Sequence, residues 1–229
     1  GQQAHPHRVS NPDPGQTRAA PLSSLYQIQR LKRTEPALQK DDMRLLITAG
    51  PTHEPIDAVR FLGNRSSGRV GSALAETAAD LGWEVRLLMG PHAMIPEHGN
   101  IDIIRFQSTA DLQALLAEHL PWCDMLIMAA AVSDFTPVVP KDCQETKWRR
   151  GEDAPVLELR PTPDLLRGCA DRARGDQTLV GFALEPHETL ESSALRKLER
   201  KNIDYIVANP LETMDADRIA ATIYARGGE

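Results

Sequence analysis

Between residues 45 and 71 the chain reads LLITAGPTHEPIDAVRFLGNRSSGRVG, an apolar run opening into a loop that carries Gly50, Gly63, Asn64, Arg65, Ser66, Ser67, Gly68 and Arg69. Glycines let a backbone approach phosphate oxygens, serines cap the following helix and donate to the same oxygens, and arginines supply charge. A strand that leads through such a loop into an Ala-rich helix is one way α/β proteins hold an anionic ligand. The chemistry indicated is that of a nucleotide. The spacing from Gly63 to Gly68 is that of a P-loop, but Arg69-Val70 stands where Lys-[Ser/Thr] belongs, which argues against a Walker-type NTPase. A dinucleotide fingerprint also fails, because Gly50 runs into Pro51 and a long polar segment instead of a helix. Gly68 and Gly71 would equally serve to pack the helix against a sheet, and the two uses are compatible.

Four further groups could take part. Asn64 precedes the helix at the carboxyl end of the first crossover, where ligands bind in open sheets, although such an asparagine also serves as a turn former. Asp134, in AAAVSDF, belongs to the same rim, and Ala129, Ala130 and Ala131 before it leave room for a ligand against the backbone; the alternative is an ordinary turn aspartate. Lys147, Arg149 and Arg150 form a basic cluster, and Arg196, Lys197, Arg200 and Lys201 recur at helical spacing. Both read equally as solvated faces.

The elements that must position these groups follow from periodicity. Apolar runs at 44–48, 84–89, 101–106, 124–130, 178–184 and 204–208 read as strands buried on both faces. Helices are expected after Ser66 or Ser67, after Ser108, after Thr162 with Pro163 in the first turn, and from about 188 to 201. Their alternation implies an α/β, doubly wound, mostly parallel Rossmann-like sheet, since parallel neighbours need crossovers. Residues 135–160 break the pattern and read as an excursion with a β-hairpin, a flap or a dimerisation arm.

Composition narrows the class. Residues 1–40 are polar and Pro-rich enough to read as a disordered tail or linker, with a short helix or docking arm at 24–40 as the alternative, leaving 41–229 as one nucleotide-binding domain. A formal net charge of -6 over 229 residues argues against nucleic-acid binding by bulk electrostatics. Cys123, Cys143 and Cys169 have no C-x-x-C spacing, so neither a disulfide framework nor zinc is suggested, and a reducing cytoplasm fits. No apolar run is long enough to span a bilayer, so a membrane role is not expected.

The opening motif, AAAVSDF, the Lys147-Trp-Arg-Arg cluster, LRPTPDLL, VGFALE and ALRKLERKNIDYIVANP, in this order, closely resemble phosphopantothenate–cysteine ligase, also called phosphopantothenoylcysteine synthetase, in its bacterial form. The likeness runs from about Arg44 to Ile223. It implies a ligase of coenzyme A biosynthesis that joins 4'-phosphopantothenate to L-cysteine through an acyl-nucleotidylate, with Mg²⁺ and CTP, or ATP as in eukaryotic relatives. By position, the resemblance places Gly50, Ser66, Ser67 and Gly68 at the phosphates and Ala131, Asp134, Phe135 and Phe182 near the nucleotide. Lys197 and Lys201 would neutralise charge there, Asn64 would face the acyl intermediate, and Lys147 would stabilise the reacting phosphate. The family carries a Lys-Ile-Lys-Lys run nearer the aspartate, so Lys141 competes with Lys147 for that last role.

The resemblance further implies a homodimer with sites completed across subunits. Bacterial members are commonly fused behind a flavin-dependent decarboxylase domain; with about 40 polar residues before the ligase motif, no decarboxylase activity is expected, and a separate decarboxylase becomes a candidate partner. The ending at Arg226-Gly-Gly-Glu229 reads as a hairpin turn where the family continues with another strand and helix, so a truncated C-terminus is expected. Two other readings compete. One is a catalytically impaired, nucleotide-binding ligase-like subunit that partners a decarboxylase. The other, a nicotinamide-dependent reductase, lacks the glycine fingerprint and any Tyr-x-x-x-Lys pair, since Tyr26, Tyr205 and Tyr224 are followed four residues on by Arg30, Asn209 and Gly228.

Overall fold

The computed structural model describes residues 43–140, 145–149, 156–213 and 220–227. The expectations for residues 1–40 and for Lys141, Cys143 and Arg150 lie outside the described residues. Eleven described strands are β1 (Arg44–Ala49), β2 (His53–Pro55), β3 (Phe61–Gly63), β4 (Glu84–Met89), β5 (Ile101–Arg105), β6 (Met125–Met128), β7 (Phe135–Pro137), β8 (Leu159–Pro161), β9 (Thr178–Glu185), β10 (Tyr205–Pro210) and β11 (Thr222–Ala225). The described helices are α1 (Arg69–Asp80), α2 (Thr109–His119), α3 (Leu165–Ala170) and α4 (Leu190–Lys201).

Seven strands form one sheet in the order β11-β10-β9-β6-β1-β4-β5, with six parallel strands and only β11 antiparallel to its neighbour. The chain lays down β1, β4 and β5 in one direction, then returns through α2 to place β6 on the other side of β1. The order therefore reverses between β1 and β6, which is where open α/β sheets form their ligand crevice. This is the expected doubly wound α/β sheet.

Period-2 alternation sends the residues of β1 to opposite cores. Leu45, Ile47 and Ala49 join Val85, Leu87 and Met89 beneath Ala75 and Ala78 of α1. Leu46 joins Leu88, Leu126 and Leu179 against Leu112 and Leu116 of α2, Leu166 of α3 and Leu198 of α4. The two faces are covered unequally: α1 packs on β1 and β4, while α4 packs on β9 and β10 from the other side. As a result β9 and β10 alternate buried and half-buried residues, and the expectation that every strand is buried on both faces fails there.

Helix starts were legible where the cap is local. Ser108 caps α2 in a capping box, its hydroxyl accepting from Asp111 N–H while Asp111 accepts from Ser108 N–H. Two other starts are corrected. α1 is preceded by Gly68 with no side-chain cap, so neither Ser66 nor Ser67 caps it. α3 begins after Asp164, whose carboxylate accepts from Arg167 N–H at 3.1 Å, so Thr162 is not the cap and Pro163 precedes the helix. The last of the expected helices starts at Leu190, after a short 3-10 turn over 187–189.

Two hairpins stand outside the large sheet. β2 pairs antiparallel with β3 within the segment expected to be loop, and β7 pairs antiparallel with β8 as the two legs of the 135–160 excursion. β2 and β7 touch. Among the described residues no helix is long and apolar enough to cross a membrane.

Candidate functional site

The carboxyl ends of β1 and β6 continue their pairing for two further residues. Ala131 N–H donates to Gly50 O at 2.9 Å and Thr52 N–H donates to Ala131 O at 3.1 Å. Threonine side chains lock the junction: Ala130 N–H donates to Thr48 Oγ1 at 3.0 Å and Ser133 N–H to Thr52 Oγ1 at 2.9 Å. Thr48 and Thr52 are fully buried, which suits hydroxyls whose partners are supplied by backbone.

The glycine loop closes over this junction. Gly50 and Gly68 have φ of 84° and 69°, in the left-handed region that disfavours other residues. A Cβ at either would stand 2.7 or 2.6 Å from Ala93 Cβ, and one at Gly68 would also be 3.2 Å from Gly50 N. Three backbone segments thus converge at a distance only hydrogen side chains permit. The loop is tied down by Met94 N–H donating to Ser67 O at 2.9 Å and Gly68 N–H approaching Ser66 Oγ at 3.4 Å. Asn64 Nδ2 donates to Ala131 O at 3.2 Å, so the amide reaches from the loop after β3 onto the end of β6. Gly50, Asn64, Ser66, Ser67, Gly68 and Ala131 are accordingly on one rim.

The remaining sequence-selected residues surround it less tightly. Asp134 is exposed at the start of the excursion, where its carbonyl accepts from Thr162 N–H at 2.9 Å, and Phe135 beside it is 50% exposed. On β9, Gly181 lies opposite Met128 of β6, which sets the half-buried Phe182 one residue past the end of that strand. Lys197 and Lys201 are engaged elsewhere: Lys197 Nζ pairs with Glu185 at 2.5 Å and Lys201 Nζ with Asp164 at 2.9 Å. Burial alone would raise the Asp164 carboxyl, but Arg167 N–H and the Lys201 ammonium hold it below the usual carboxylate range. A ligand phosphate would have to compete with these carboxylates.

Lys147 is exposed, on a backbone segment fastened from both sides: Ala58 N–H donates to Thr146 O at 3.2 Å and Trp148 N–H donates to Asp57 Oδ2 at 3.1 Å. Asp57 and Arg60, which supply this fastening, were missed by sequence reasoning, as were Thr52 and Ala93 of the rim. An aspartate whose carboxylate accepts from the N–H groups two and three residues later makes an Asx-turn, and Asp57 does accept from Val59 N–H and Arg60 N–H. Glu54 was missed too; its buried carboxylate accepts from Thr109 N–H and Oγ1, joining β2 to the start of α2. His53 stacks on Phe61 with ring centroids 3.6 Å apart, and burial, then the nearby His92, holds it below the ordinary histidine value.

Known proteins share this fold and sequence. The chain is 45% identical over 169 residues to a cysteine/cysteine sulfinic acid decarboxylase of an unknown prokaryotic organism, covering 74% of this chain and 46% of the relative. It is 39% identical over 188 residues to the coenzyme A biosynthesis bifunctional protein CoaBC of Bacillus subtilis, covering 80% of this chain and 45% of that protein. The chain spans about half the length of these curated relatives. Among solved structures, the C-terminal domain of a coenzyme A biosynthesis bifunctional protein CoaBC superposes with a TM-score of 0.68 at 37% identity, covering 82% of this chain and 83% of that one. Residues 40–229 match the DNA/pantothenate metabolism flavoprotein C-terminal domain, and the chain belongs to that family.

Proposed function

We propose that this chain carries the ligase step that joins 4'-phosphopantothenate to L-cysteine at the expense of a nucleoside triphosphate, CTP in preference to ATP. The observation that carries the reading is the junction of Gly50, Asn64, Gly68 and Ala131 at the reversal of strand order. The family match and the 37% identity to a CoaBC C-terminal domain support it.

In this reading the carboxylate of 4'-phosphopantothenate attacks the α-phosphorus of CTP, pyrophosphate leaves, and an acyl-cytidylate remains. The cysteine amine then attacks the acyl carbon, loses a proton, and CMP departs. The backbone of Gly50 and Gly68, with Ser66 and Ser67, would approach the phosphates, and Ala131, Asp134, Phe135 and Phe182 would line the nucleotide. Lys147 would neutralise charge developing in the first step, where positioning and electrostatics dominate. Asn64, already directed at the rim through its amide, would hold the acyl intermediate. Lys197 and Lys201 would exchange a carboxylate for a phosphate. Mg²⁺ would bind through the nucleotide phosphates and supply charge neutralisation there.

Phe135, Val138 and Leu159 leave exposed apolar surface on the β7–β8 excursion, which supports a homodimer formed through it, to be checked by sedimentation at micromolar concentration. A separate flavin-dependent decarboxylase remains the proposed further partner. The deciding experiment is pyrophosphate release with 4'-phosphopantothenate and either CTP or ATP, with and without cysteine. Release with CTP before cysteine is added is expected; none with either nucleotide would favour the impaired, binding-only subunit.

A further inference from the structure

Asp57 lies in the turn between β2 and β3, is 4% exposed, and divides its two oxygens between two tasks. Oδ1 accepts Val59 N–H at 2.8 Å and Arg60 N–H at 2.7 Å, which builds its own turn. Oδ2 accepts Trp148 N–H at 3.1 Å from a segment 91 residues later. The same turn reaches that segment twice more, through Ala58 N–H to Thr146 O at 3.2 Å and Arg60 Nη2 to Trp148 O at 2.8 Å. The residues immediately before and after Lys147 are therefore both bonded to one short turn, while the Lys147 side chain is exposed.

We infer that Asp57 is a positioning residue that clamps residues 146–148 and thereby fixes where Lys147 is presented. A buried carboxylate serves this purpose because it can accept several backbone donors at once, and each charge-assisted bond is stronger than a neutral one. The Arg60 guanidinium, within 3.6 Å of Asp57 Oδ2, compensates the buried charge and closes the clamp on the Trp148 carbonyl. The turn leads directly through β3 to Asn64, so the clamp ties the lysine-bearing segment to the same strand that delivers the amide to Ala131. The kinetic consequence rests on the ligase reading; the clamp itself does not.

The test is Asp57→Asn, which retains one acceptor oxygen for the turn and sets an amide N–H₂ against Trp148 N–H. Trypsin cleavage after Lys147 is expected to become at least about tenfold faster, while the melting temperature changes little, because the released segment carries little of the core. Unchanged cleavage overturns the clamp whatever the enzyme does. In single-turnover pyrophosphate release, Asp57→Asn is expected to slow the step about tenfold or more with the nucleotide KM unchanged, and to cause no further loss when added to Lys147→Gln. Equal losses in the presence and absence of Lys147 would overturn the positioning role, since non-interacting residues act additively. If Asp57→Asn does not fold, Trp148→Pro removes the same N–H from the other side, and Trp148→Ala retains it. The proline variant alone should lose the burst, and equal behaviour of the two overturns the proposal. A parent protein that releases no pyrophosphate removes the ligase reading and its kinetic consequence, and the proteolysis still decides the clamp.

Discussion

The rim at β1 and β6 and the segment around Lys147 are held in opposite ways. At the rim, backbone meets backbone: Gly50, Gly68 and Ala93 approach so closely that a single added carbon has no space, and ladder hydrogen bonds continue past the strand ends. At residues 146–148 a few polar links from one turn hold an otherwise exposed strip. Close packing resists displacement in every direction, whereas a few hydrogen bonds can open and close one at a time. In the proposed reading, the contrast sets a close-packed cradle for phosphates beside a lysine-bearing segment held by links that can be removed one at a time.

The largest effect should come from filling the rim. A Cβ at Gly90 would collide with the Pro51 carbonyl and stand 3.0 Å from two carbons of the Phe106 ring, so Gly90→Val is expected to cost at least about 3 kcal/mol. That is roughly 6–12 °C in melting temperature for a domain of this size, measured by calorimetry. A variant with parent-like melting would show that the rim is not close-packed.

Next is chemistry without loss of fold. Lys147→Gln is expected to reduce pyrophosphate release in the absence of cysteine on the order of a hundredfold, as for removal of one charge-stabilising donor, at an unchanged melting temperature. Asn64→Ala should retain more of that burst and lose amide formation instead. If both variants lose the burst equally, rim and clamped segment act as one unit and the division of labour fails.

A smaller effect separates the regions by pH. Burial would raise Asp57, but N–H bonds from Val59, Arg60 and Trp148 and the Arg60 charge lower it below the usual aspartate value of 3.8. A carboxylate with a depressed folded pKa contributes stability above its unfolded value and loses it as pH falls through the folded one. Hydrogen exchange below about pH 3.8 should therefore release Trp148 N–H before the amides around Gly71 of α1, which packs directly on Ala49. Loss of both together would mean that the clamp is not the weaker attachment. The smallest change is expected at Gly99, on the same loop as Gly90 but where an added Cβ would meet nothing within 4 Å. Gly99→Ala should stay within about 0.5 kcal/mol of the parent in denaturant melts.

The sequence exposes what is local. Ser108 and Asp111 announce α2 because the capping box is complete within four residues, and the run Leu45-Leu46-Ile47 of β1 is continuously apolar because helices cover both its faces. Gly68 displaced the serines as the start of α1 for a reason no local pattern carries: Ala93 and Gly50, distant in sequence, require a residue without Cβ there. The β2–β3 hairpin stayed hidden because its strands hold His53, Glu54, Pro55 and Gly63, whose types suggest loop and whose partners are tertiary. The site residues drawn from the first loop do converge, whereas Lys197 and Lys201 were read without their partners Glu185 and Asp164. Asp57 was overlooked because the residue that gives it meaning, Trp148, lies 91 positions away.

The reversal of strand order also has a kinetic side. The bonds that seal the rim join Thr52 to Ser133 and Thr48 to Ala130, separations of 81 and 82 residues. Until β6 has docked beside β1, Gly50 has no Ala131 to meet, and closing so long a loop is opposed by chain entropy that shorter contacts do not face. The rim is therefore expected among the last features to assemble during folding, and if it binds the nucleotide as proposed, recovery of ligand affinity should lag behind recovery of helical signal when the protein is refolded.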